Sequence, residues 1–145
     1  MRVCTRFFGD MECPQEAVIR FPDGIQPFPD TSFVVISPPE DPVVYLQSLD
    51  REQLCFIAVP VRTAAPAYLY DIESWFLERI GARPEQADGQ GLTCLTILTV
   101  PEEGPITANL LAPVVINPMN STGVQAVRTD QRYSHAEPVK GCLPC

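Results

Sequence analysis

Apolar positions in this chain come in short runs, each stopped by Pro, Gly or a cluster of polar residues, and long helical stripes are rare. Val3–Phe8 alternates moderately and stops at Gly9-Asp10, a turn signal. Ala17–Phe21 is closed by Pro22-Asp23-Gly24, where Pro presets the turn and Gly supplies the positive φ. Ser32–Ser37 is a β-branched run that ends at Pro38-Pro39. Val43–Leu49 and Leu54–Val59 flank Asp50-Arg51-Glu52-Gln53, whose charges predict a solvated hairpin loop, and Pro60 closes the second run. Leu92–Val100, Ile106–Ala112, Val114–Asn117 and Val124–Asp130 follow, the last two joined through a loop from Pro118 to Gly123. No charge occurs from Ile106 to Val127, which predicts a core pair of strands, with an interface on the outer face as the alternative.

One helix interrupts this series near residues 73–80. Ile72, Trp75, Phe76 and Ile80 fall at helical spacing on one face, so Trp75 and Phe76 are expected to anchor it. Asp71 or Ser74 is placed to cap its start, and Gly81 to take the left-handed position after its end. Pro84–Asp88 adds a further helical turn, broken by Gly89-Gln90-Gly91. Short strands joined mostly by tight turns predict a mainly β, single-domain antiparallel β-barrel-like fold with one short helix. The expected domain spans residues 1–135, with a flexible tail over 136–145.

Composition narrows the function. Charged residues make up 19% and apolar residues 46%, too apolar for a disordered chain, and the 16 prolines suit many strand ends. The N-terminus lacks the apolar core of a signal peptide, and the longest apolar run, Leu110–Ile116, is far short of a membrane span. A cytoplasmic protein with reduced thiols is expected. The net charge of −8 repels phosphate backbones and anionic lipid heads, so direct nucleic-acid or membrane binding is not expected, whereas a basic protein is attracted.

Candidates for chemistry are few. His135 is the only histidine, and no nucleophile turn such as G-x-S-x-G accompanies it. Cys142-Leu143-Pro144-Cys145 is a lone C-x-x-C at the chain's end, while Cys4 and Cys13 are too far apart in sequence to supply the second half of a zinc site. Neither a catalytic site nor a metal or cofactor is expected, and the function is read as protein binding.

Several segments resemble the flagellar assembly factor FliW family. The most specific are Ile97-Leu98-Thr99-Val100-Pro101 and Ile106-Thr107-Ala108-Asn109-Leu110-Leu111-Ala112-Pro113-Val114-Val115-Ile116-Asn117. Phe7-Phe8-Gly9, Phe21-Pro22-Asp23-Gly24-Ile25 with Phe28, Tyr45-Leu46-Gln47-Ser48 and Phe56-Ile57-Ala58-Val59-Pro60 are similar in the same order. Gln26-Pro27 departs from the Pro-Gly usual there. The resemblance implies a compact β-barrel and two protein partners. One is CsrA, an RNA-binding translational repressor that such proteins antagonise; the other is flagellin, bound in a chaperone-like manner. Exposed candidates for partner contact are Glu102 and Glu103, suited to a basic partner, and Met119 and Asn120 at a hairpin tip. The alternative is a ligand-binding β-barrel or general chaperone with a different partner.

Overall fold

The computed structural model describes residues 1–139. Its strands are β1 (Arg2–Thr5), β2 (Gly9–Glu12), β3 (Ile19–Arg20), β4 (Ser32–Ile36), β5 (Val44–Ser48), β6 (Cys55–Pro60), β7 (Thr93–Thr99), β8 (Thr107–Ala108), β9 (Val114–Asn117), β10 (Thr122–Gln125) and β11 (Glu137–Pro138). Two short helices, α1 (Val61–Ala64) and α2 (Ser74–Arg79), lie between β6 and β7, and 3₁₀ turns occupy Gln15–Ala17 and Pro84–Asp88. The strands run β7-β6-β5-β4-β3-β10-β9 and close where β9 pairs with β7, giving the expected barrel. All neighbours are antiparallel except β10 and β3, which meet in one parallel pair, Thr122 with Arg20.

Alternation along the strands sends one set of side chains inward. Phe21, Ile25, Phe33, Leu46, Ala58, Leu95, Val114 and Ile116 fill the interior as one cluster. Phe21 meets Phe33 edge to face with centroids 5.4 Å apart. Its ring also lies over Gly123, where an added Cβ would stand 2.4 Å from Phe21 Cε2, so that position has room for glycine alone.

The outer face is also largely covered. The β1–β2 hairpin lays Val3 and Met11 over Val34 and Ile36 of β4. Gln47, fully buried, ties this layer on: its Oε1 accepts from the Arg6 amide at 2.9 Å and its Nε2 donates to the Glu52 carbonyl at 3.0 Å. The loop Asp50–Gln53 is exposed throughout, as its charges predicted, and from it Arg51 pairs with the buried carboxylate of Asp30. On the other side, Ile72, Leu77 and Ile80 cover Val115 and Val124. Every residue of β9 is therefore buried, which explains the charge-free run: its outer face is core.

Some expectations shift. The helix is where its periodicity placed it, but Trp75 is 54% exposed and Leu77 takes the buried position. A six-residue helix has too few turns to bury a wide stripe, and Trp75 instead lies against Phe76 and under Arg79. Neither Asp71 nor Ser74 caps it; Glu73 holds the N-cap position without a side-chain bond. Gly81 does take the left-handed conformation, at φ 67°. The strand expected over Ile106–Ala112 shrinks to Thr107–Ala108, and the one expected from Val124 begins at Thr122. Within the segment expected as a tail, Glu137 and Pro138 pair with Ala108 and Thr107, and Val139 donates to the Ile106 carbonyl. Cys142 and Cys145 lie outside the described residues.

Candidate protein-binding surfaces

Glu102 and Glu103 are exposed in the turn after β7, and Met119 and Asn120 sit in the β9–β10 turn. Thr93, at the start of β7, pairs with Ile116, so the two pairs of candidates lie beyond opposite ends of β7. Seven residues at ~3.3 Å each separate them by roughly 20 Å, too far to form one contact point. Met119 is 90% exposed and free of packing. Asn120 is structural, because its Nδ2 donates to the Ile80 carbonyl at 2.9 Å, as does Asn117 Nδ2. Together they cap the C-terminus of α2 and fasten the hairpin tip to it.

Arg128 organises a second surface. Its guanidinium donates to the carbonyls of Leu69 and Tyr70, to the Tyr68 hydroxyl and to the Asp130 carboxylate. Its central carbon lies 5.2 Å from the Tyr68 ring centroid and 5.1 Å from that of Tyr133. Arg128 holds the Asp130 carboxyl down to about 2. The segment from Tyr68 to Tyr70 is thereby locked to the chain after β10. Beside it runs a cleft of about 500 Å³, lined by Asp71, Asp88 and Asp130 as well as by Arg62 and Arg132. This mixed charge gives no single-sign field, and Asp130 is already engaged.

A third surface was missed in the sequence. Phe7 and Phe8 form the β1–β2 turn and remain 47% and 38% exposed, both resting on Tyr45 of β5. Period-two alternation assigned them to a strand, and Phe7-Phe8-Gly9 entered only through the resemblance, although two aromatics directly before a turn glycine are also a sign of an exposed tip. Their exposure beside Arg6 makes a small aromatic platform.

Two thiols among the described residues are poor nucleophiles. Burial pushes the thiols of Cys55 and Cys94 up to about 11, so both are protonated at neutral pH. The Asp10 carboxylate beside Cys4 raises that thiol as well. Among the described residues, no group of three His, Cys, Asp or Glu side chains is placed to hold a metal ion. No helix among them is long and apolar enough to cross a membrane.

The sequence model of the family described as FliW protein matches residues 2–139. The chain belongs to the FliW family. It is 37% identical over 133 residues to the flagellar assembly factor FliW of Alkaliphilus metalliredigens, covering 89% of this chain and 80% of that one. It is 33% identical over 135 residues to FliW of Geobacillus thermodenitrificans, covering 92% and 91% respectively. The crystal structure of a flagellar assembly factor FliW superposes with a TM-score of 0.86 at 29% identity, covering 96% of each chain. The mainly β barrel expected from the sequence is the FliW fold.

Proposed function

We propose that this chain is a non-enzymatic, cytoplasmic regulator of flagellum assembly that binds and antagonises the translational repressor CsrA, relieving repression of flagellin synthesis, and binds flagellin as a chaperone-like partner. The observation that carries this reading is family membership along residues 2–139. The exposed Met119, Phe7 and Phe8 suit protein contacts, and the acidic balance suits a basic partner. Met119, Asn120 and the Glu102–Glu103 turn remain contact candidates, Asn120 being exposed as well as bonded to the Ile80 carbonyl. A ligand-binding barrel is disfavoured because Phe21, Phe33 and Leu46 pack its interior. Isothermal titration with purified CsrA and purified flagellin from the same organism tests the proposal. Saturable binding of each is expected; absence of binding to both would refute it.

A further inference from the structure

The barrel is not sealed at the end where Met119 stands. Ile19, Val35 and Ile116, inward-facing residues of β3, β4 and β9, line an apolar slot of about 300 Å³ with Ala17 and Pro118 at its mouth. The cause is the brevity of β3. Its two residues pair only with Phe33 and Ser32 of β4, and β10 meets it at one position. Val35 therefore has a strand partner on one side, Leu46 of β5, and no strand on the other. A stretch of backbone edge is left beside an apolar hole.

We propose that this slot receives one large apolar side chain from an extended segment of a protein partner, a segment that carries Lys or Arg next to that side chain. The inference rests on the protein-binding reading and adds where and what the chain grips. An unpaired strand edge takes up extended backbone through main-chain hydrogen bonds, while a neighbouring pocket selects the side chain. The lining selects an apolar group. Glu16, exposed at the lip, has no cation within 4.0 Å among the described residues. Arg20 follows Ile19 on β3 and so alternates to the opposite face. With a net charge of −8 behind it, the lip favours a cationic neighbour. Met119 follows Pro118 at the rim, and its flexible, polarisable side chain adapts to a bound apolar group. A small-molecule site wants several convergent polar groups, whereas here the polar side chains are Glu16 at the exposed lip and the Thr93 and Ser121 hydroxyls.

Two measurements test this. Ala17 is exposed, so Ala17→Phe plugs the slot without disturbing the interior. In the first, CsrA and flagellin are titrated into wild type and Ala17→Phe, with melting temperatures recorded alongside. At least one protein that binds wild type should bind the variant tenfold or more weakly at an unchanged melting temperature. Equal binding would overturn the slot while leaving the partner reading intact. In the second, the methyl resonances of Ile19, Val35 and Ile116 are followed while adding acetyl-Arg-Leu-Arg-amide or acetyl-Glu-Leu-Glu-amide. The basic peptide should shift them saturably, the acidic one should not, and Ala17→Phe should abolish the response. No shift, or equal shifts from both peptides, would overturn the proposal even if CsrA and flagellin bind. A response to the basic peptide without binding of either protein would sustain the slot and sink the partner reading. Sedimentation of wild type as a dimer that Ala17→Phe splits would assign the slot to a second copy and also overturn it.

Discussion

Replacing Arg128 isolates the contact that fastens the Tyr68–Tyr70 segment to the barrel. The side chain is 7% exposed, so its bonds are made largely away from water. Arg128→Met keeps much of the aliphatic stem but removes the donors to Leu69, Tyr70 and Tyr68 and the cation beside two tyrosine rings. Hydrogen bonds of this kind contribute about 1 kcal/mol each net, and the two carbonyls lose theirs together. The cation–ring contact adds about 1 kcal/mol, counted once because the rings lie 4.4 Å apart and share one cation. The pair with Asp130 adds little, since that carboxylate is 44% exposed. The expected loss is about 3 kcal/mol, or roughly 6–12 °C in melting temperature for a domain of this size. Thermal unfolding followed by circular dichroism measures it. Arg128→Lys should lose most of the same amount, because an ammonium cannot reach several acceptors with a planar fork. A loss below about 1 kcal/mol for Met, or a Lys variant as stable as wild type, would refute the assignment.

Three further outcomes follow from the packing and charges. Gly123→Ala should destabilise by about 1–3 kcal/mol, since its Cβ meets the buried Phe21 ring; a denaturant midpoint equal to wild type would show that the ring has room to move. Thr96 is fully buried and its hydroxyl has no hydrogen-bond partner among the described residues, so Thr96→Val should raise stability by about 1 kcal/mol, read as a higher melting temperature. Arg51, then Ser48, holds the Asp30 carboxyl below its usual range, and Arg128 holds Asp130 down to about 2. Both pKa values are depressed on folding, so their contribution is complete above the unfolded value near ~4 and is lost as pH falls from there toward the folded values. Urea midpoints should drop across that window, and Asp30→Asn should flatten the drop; a profile unchanged by that substitution would contradict the pairing.

Much of the barrel was legible because its signals are local. Pro38, Pro60 and the Gly81 step stop elements where the chain itself forbids continuation, and Val114–Asn117 announced its burial by lacking charge. What escaped depends on distant partners. The β1–β2 hairpin has a weak pattern because Val3 and Met11 are its apolar residues against β4 while the next buried position of β1 is Thr5, and β11 exists only because β8 lies alongside it. Leu77 replaced Trp75 in the core because the orientation of a one-and-a-half-turn helix is set by what it covers, here Val115 and Val124. Among the candidate contacts, Met119 could be read from an apolar residue in a polar turn. The capping role of Asn120 could not, since it is defined by Ile80, 40 positions away.

If this chain links flagellin abundance to repressor activity, as proposed, flagellin and CsrA compete for it. Purified flagellin is titrated into a preformed complex of this protein with CsrA while free CsrA is measured. Flagellin should release CsrA, and CsrA should weaken flagellin binding by the same factor, because linkage is reciprocal. A tenfold factor, about 1.4 kcal/mol, suffices to reverse a tenfold sequestration. Simultaneous binding of both partners with unchanged affinities would rule out the switch even if each interaction were real.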